Sequence, residues 1–323
     1  MQNIFYSLII AILLASCSSN KKKDVPDKLK TIRIGYIMNH TPVILGRELN
    51  WFRDEFDKDS IKIEYYLFEI GPSVIEAFAG DRIDIGTVGD QPAIVGWSNG
   101  IKIKAVGNFA SGYKLAGIAI GKNSGIKKLS DLKGKKVAVA IGSVYQHLLM
   151  LFLSEEGLTV NDIKLVNLKF GESVTALASN NIDAVVIGEP FLSQIEYKKI
   201  GKVVAYSDKL MYFADPIVVS DNFAKNYPSV VKRLLKIYDH GNKWARLNKD
   251  SATSILVKVN PVIPKIVISS IISKLPDNIS LDTNVINAFK DTYLFLKKSN
   301  IVKTDKPVEQ FYDTSFLHDA GLQ

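Results

Sequence analysis

Cysteine is almost absent: the 323-residue chain has one, Cys17, so no disulfide can form within it. Histidine is scarce too. The four residues His40, His147, His240 and His318 show no metal-ligand spacing and no Glu-x-x-His pattern. There is no glycine-rich phosphate loop of the Walker type. Ser143 lacks a Gly-x-Ser-x-Gly setting, which removes the usual mark of an activated serine. Beyond the first residues no apolar run is both long and free of charge, so the sequence offers no membrane-spanning helix. The net charge of +8 comes from lysines spread along the chain, such as Lys127, Lys128, Lys133, Lys135 and Lys136. They form no stripe interleaved with aromatics, so a nucleic-acid partner is not indicated.

At the start, an apolar run from Ile4 to Ala15 precedes Cys17. At roughly 12 residues it is too short to cross a bilayer but fits the core of a secretory signal. The polar, charged run from Ser18 to Asp24 reads as a flexible tether. About 300 residues then remain, enough for two lobes with real cores.

Along that body, strand and helix patterns alternate. Strands are expected at Thr31–Ile37, Ile61–Phe68, Ile83–Thr87 and Ile101–Val106, with helices opening at Thr41-Pro42, Gly71-Pro72-Ser73 and Gln91-Pro92. The same scheme restarts at Lys136–Ile141, Ile163–Leu168 and Ile182–Ile187, with Gly142-Ser143 leading into a helix. The two stretches match in detail. Ser73-Val74 corresponds to Ser173-Val174, Ile83-Asp84 to Ile182-Asp183, and Gly89-Asp90 to Gly188-Glu189. A two-copy repeat of this kind points to α/β architecture with two similar lobes and mostly parallel sheets. Leu115–Ile120 and Pro216–Val219 are the natural crossings between them. The C-terminal segments Pro228–Leu247 and Val285–Leu296 carry helical spacing that reads as packing without chemistry.

Ligands in open α/β sheets bind at the carboxyl ends of strands. There the chain places Asn39-His40-Thr41, Gly71-Pro72-Ser73, Gly89-Asp90-Gln91, Gly142-Ser143 and Gly188-Glu189. Helix N-termini aimed at one hollow suit a small anion. Asp90 and Glu189, one from each lobe, would face each other there and suit a donor or cationic group on the same ligand. Equally, each acid could simply cap its own helix. Tyr113, Tyr145 and Tyr212 fall near lobe edges, as core or rim.

Leu14-Ala15-Ser16-Cys17 resembles the lipobox of bacterial lipoproteins, although Met1-Gln2-Asn3 lacks the usual basic residue. The resemblance implies acylation of Cys17, which would leave no thiol for catalysis, and an extracytoplasmic protein anchored to a membrane by lipid. The stretches Gly71–Gly80, Ile83–Gly86, Gly89–Pro92, Leu129–Val139 and Gly142-Ser143 resemble the solute-binding lipoproteins of ABC importers. More narrowly they are similar to the nitrate/sulfonate/taurine-binding group, which shares its fold with thiamine-pyrimidine-binding proteins. That resemblance implies a type II periplasmic-binding-protein fold, with two α/β lobes joined by two hinge strands. The boundaries expected are a signal at 1–16, a tether at 17–30, a first lobe from 31–120 plus 209–323, and a second from 121–208. It also implies delivery of a small organic solute to a permease and ATPase and no catalysis; no cofactor or metal is expected, and a lone tethered monomer is the simplest expectation. The ligand-facing positions carried over are His40, Thr41, Gly71, Ser73, Asp90, Gln91, Gly142, Ser143 and Glu189. The strand Ala184–Gly188 carries no aromatic, which shifts the expected solute from aliphatic sulfonates toward a pyrimidine or other amine-bearing molecule. Two other readings use the same residues: an enzyme of this fold with Asp90 and Glu189 as an acid/base pair, or a subunit feeding a membrane sensor.

Overall fold

The computed structural model describes residues 28–208 and 210–323, so the expectations for the signal, for Cys17 and for most of the tether lie outside the described residues. Ten strands are described. The first five are β1 (Thr31–Ile37), β2 (Lys62–Phe68), β3 (Ile85–Thr87), β4 (Ile103–Gly112) and β5 (Ala116–Gly121). The others are β6 (Lys136–Val139), β7 (Lys164–Asn167), β8 (Ala184–Gly188), β9 (Gly201–Tyr206) and β10 (Phe213–Ser220).

They form two five-stranded sheets, ordered β2-β1-β3-β10-β4 and β7-β6-β8-β5-β9. In the first, β1 runs parallel to β2 and β3, while β10 is antiparallel to β3 and β4. In the second, β6 is parallel to β7 and β8, while β5 is antiparallel to β8 and β9. The two orders superimpose element for element. In each, the antiparallel strand beside the edge is the one arriving from the other lobe. The repeat read in the sequence is therefore a repeat of topology.

The expected boundary at residue 121 is corrected by this pairing. β5 bonds to β8 and β9, so it belongs to the second lobe's sheet and is not a crossing. The chain changes lobe between Gly112 and Ala116 and returns between Tyr206 and Phe213. At these connections Tyr113 and Tyr212 meet edge to face at 5.1 Å, and the Tyr212 hydroxyl donates to Ser111 Oγ.

Period-2 alternation decides which side chain enters which layer. In the second lobe Val137, Val139 and Val186 pack on one face with the helix Val144–Glu155. Ala138, Val185 and Ile187 pack on the other, against the helices Phe170–Ala178 and Phe191–Tyr197. Both faces are covered, which is why β8 reads as an unbroken apolar run. The first lobe's larger core also takes in the C-terminal helices Pro228–Leu247 and Thr283–Lys298, through Leu234, Tyr238, Phe289 and Leu296.

Candidate functional site

The carboxyl ends of the strands of both lobes meet. A Cβ placed on Gly142 would lie 3.3 Å from Pro72 Cγ, and one on Gly89 would lie 3.7 Å from Val144 Cγ1. Gly142 adopts a φ of +80°, which only glycine holds without strain, and this lets the second lobe's first turn abut the first lobe. The expected helix starts are thus brought together, but here they pack against one another.

The open space lies beside them. A cavity of about 60 Å3 is walled by Asn39, His40, Phe109, Ser111 and Asp215 of the first lobe and by Tyr145 and Glu189 of the second, with Phe213 and Lys274 closing it. Two of the nine expected ligand-facing residues, His40 and Glu189, line it.

His40 is fully buried, and burial pushes its pKa down to about 3. Its Nδ1 accepts from the Ile37 amide at 3.3 Å and lies 2.6 Å from the Thr87 hydroxyl. With Nδ1 accepting, the ring proton sits on Nε2, and the imidazole is a neutral donor at the cavity wall.

Glu189 precedes Pro190, the N-cap of the helix Phe191–Tyr197. Its carboxylate accepts from Ser193 Oγ at 2.7 Å and from the Ser193 amide at 3.1 Å. It also meets Lys274 Nζ of the first lobe at 3.1 Å. The expected capping role is therefore present, together with an ion pair across the cleft.

Asp90 corrects the picture of two acids opposed across one hollow. It is fully buried, starts the helix Asp90–Ser98, and does not line the cavity. Its Oδ2 accepts from the Thr292 hydroxyl at 2.7 Å and its Oδ1 from the Gln91 amide at 2.7 Å. Burial pushes its pKa up to about 7 against these two donors. Its acidic neighbour is Asp215 of the same lobe, raised to about 8 by burial and by the charge of Asp90. Asp215 does line the cavity, and among the described residues its carboxylate has no hydrogen-bond or ion-pair partner. Tyr145 is held protonated above its ordinary range by burial, with Asp215 and Glu189 adding to the effect.

The remaining expectations sit in supporting positions. Thr41 is buried as the first residue of the helix Thr41–Glu48, whose N-cap is His40. Gly71 packs its backbone against Pro92. Gln91 is buried, and Ser73 lies off the cavity wall. The Ser143 hydroxyl donates back to the Ala140 carbonyl at 2.6 Å, and the Gly142 amide donates to Gln146 Oε1 at 2.8 Å.

Asp215 and Lys274 escape sequence reasoning. Asp215 interrupts an apolar strand just before Pro216, a weak signal. Lys274 follows the helix Lys265–Ile272, between the two segments that read as packing, where no motif marks it; Thr292, inside the second of them, holds Asp90. Among the described residues no cluster of three or more His, Cys, Asp or Glu is placed to hold a metal ion.

The chain that carries this cavity between two similar α/β lobes is similar to known proteins in sequence and in fold. A family model described as NMT1/THI5 like covers residues 37–252. The chain belongs to the NMT1/THI5-like family. Among curated members similar to it is a putative aliphatic sulfonates-binding protein of Bacillus subtilis (strain 168), 30% identical over 312 residues, which are 96% of this chain and 94% of that one. Another of the same description, from Escherichia coli (strain K12), is 26% identical over 276 residues, 85% of each chain. In three dimensions the chain resembles the alkanesulfonate-binding protein of Xanthomonas axonopodis pv. citri bound to MOPS. The TM-score is 0.82 at 22% identity, covering 89% of this chain and 99% of that one. This last likeness shows the fold of the family, two α/β lobes, in the form expected from the repeat.

Proposed function

We propose that the chain is the extracytoplasmic solute-binding component of an ABC importer, holding a small organic solute between its lobes and handing it to a permease. Anchoring through an acylated Cys17 belongs to the same proposal. The observation that carries it is the chemistry of the interlobe cavity. An unpartnered carboxylate, Asp215, and an ammonium, Lys274, both of the first lobe, line a cavity whose facing wall, with Tyr145 and Glu189, belongs to the second. Such a pair fits a solute with both a cationic and an anionic end, of which a taurine-like sulfonate is one and an amine-bearing pyrimidine with an acidic substituent another. Kinship with putative aliphatic sulfonates-binding proteins favours the sulfonate class. Family kinship thus pulls toward sulfonates where the missing aromatic in β8 pulls away.

Binding both lobes at once stabilises the closed arrangement over the open one, and only that difference shifts the population. Glu189, bound to Ser193 and Lys274, is engaged in structure and not free as a base, which favours a carrier over a catalyst.

The test is a thermal-shift and calorimetric screen of the purified chain against taurine, ethanesulfonate, nitrate and an aminomethylpyrimidine. A true solute at a hundred times its Kd adds roughly 2.7 kcal/mol of stability. No stabilisation by any member of the panel, together with turnover of one of them, would overturn the reading.

A further inference from the structure

The cleft has a second chamber, larger than the first. It measures about 330 Å3 and lies where β1 and β2 of the first lobe face the start of the helix Phe170–Ala178 of the second. Asn39 borders both chambers, and its amide donates to the Glu189 carbonyl at 3.4 Å. One wall runs through both. Phe191 and Phe170 of the outer chamber have ring centroids 5.7 Å apart, Phe170 and Tyr145 are 5.4 Å apart, and Tyr145 reaches Phe213 of the inner chamber at 6.0 Å.

The charges around the outer chamber are already engaged with one another. Lys169 pairs with Glu69 across the lobes, and Glu172 accepts from the Lys169 amide. What remains on the walls is mostly apolar, with Met38, Phe68, Phe170, Pro190 and Phe191 the larger surfaces, beside the side-chain amides of Asn39 and Asn260. An apolar hollow of roughly 150 Å3 suffices for a benzene ring, so this one has room for a ring and its linker.

We propose that the outer chamber receives an apolar arm of aromatic-ring size, carried by the same solute whose charged head occupies the inner chamber; this rests on the solute-carrier reading above. The arm passes Asn39 and lies along Phe170 and Phe191. The preferred solutes are then aryl-bearing or similarly bulky molecules with a small charged head, and taurine itself is a truncated ligand.

The experiment is calorimetric titration of the full chain with two matched pairs, taurine against N-benzyltaurine and ethanesulfonate against 3-phenylpropane-1-sulfonate. The arm-bearing member is expected to bind at least tenfold tighter in the pair whose head the inner chamber accepts. Gly171 borders the chamber, has no positive φ, and a Cβ built there meets no atom within 4 Å, so Gly171→Leu adds apolar bulk at the chamber's edge without a clash at Cβ. Gly171→Leu is expected to cut the gain to under threefold while the short probe stays within twofold of its original affinity. The inference is overturned if the arm-bearing probes bind no tighter than the short ones while the short ones still bind. It is equally overturned if Gly171→Leu weakens both members alike or leaves the gain intact. Failure of all four probes to bind would overturn this inference, while the solute-carrier reading would then be decided by the nitrate and aminomethylpyrimidine of the wider panel.

Discussion

Lys274 Nζ and Glu189 Oε1 stand 3.1 Å apart, one from each lobe, and no other side-chain ion pair lines the inner cavity among the described residues. Lys274 is 38% exposed and Glu189 8%, so the pair is wet on one side. Its net contribution to stability is therefore small. Lys274→Ala is expected to cost no more than about 1 kcal/mol in urea denaturation, yet to weaken an anionic solute at least tenfold by calorimetry. A large loss of stability with unchanged affinity would make Lys274 a structural latch and nothing more.

Asp215 faces the cavity without a partner, and a cationic group would supply one. Asp215→Asn should lower the affinity for an amine-bearing solute by at least tenfold and leave an alkanesulfonate without an amine within threefold. Because Asp215 is pushed above its ordinary value, the empty protein holds a proton there near neutrality. Binding of an amine should therefore release that proton. Titrations at pH 7 in buffers of different ionisation enthalpy would register it, and a zero proton count would exclude Asp215 as the amine's partner.

The same raised values set a stability profile. Asp90 and Asp215 keep protons in the folded state that the unfolded chain gives up near pH 4. Stability from this pair is thus present at low pH and lost as pH rises through about 7 to 8. His40 and His147, held neutral by burial with values of about 3 and about 4, act the opposite way. Their contribution is present above the ordinary histidine value and lost as pH falls below it. Between about pH 4 and 6.5 the two effects oppose each other, giving a plateau. Above it stability should fall by up to about 1.4 kcal/mol per pH unit for each proton lost. Urea melts from pH 4 to 9 check this, and Asp215→Asn should flatten the alkaline limb.

Thr292 holds Asp90 from a helix that begins almost 200 residues later in the chain. Thr292→Val removes the side-chain donor to a buried carboxylate. The expected loss is about 1–3 kcal/mol at pH 8, smaller at pH 5 where the acid keeps its proton. Solute affinity should change little, because Asp90 does not reach the cavity. A tenfold affinity loss at constant stability would restore Asp90 to the ligand.

The strand–helix repeat was legible because it is written in local apolar periodicity and in the Gly-Asp/Gly-Glu punctuation after β3 and β8. Depth was not. Asp90 is the first residue of its helix, and the helix Thr283–Lys298 covers it. Glu189 sits ahead of Pro190 and stays at the cleft. The residues match in the sequence and part in space because a later helix covers only one of them. Lys274 lies 85 positions from its partner, and no periodic signal links residues so far apart.

β10 wedges between β3 and β4, so the first lobe is assembled from two separate stretches of chain, while the second lobe is one continuous stretch from β5 to β9. During synthesis or passage through a membrane channel, the inner stretch has all its partners before the outer one does. A chain cut short before Phe213 would leave β3 and β4 with bare backbone edges, the kind that pair with other molecules. Truncated products should therefore aggregate, and the interval before the last hundred residues emerge is when this protein most needs a chaperone.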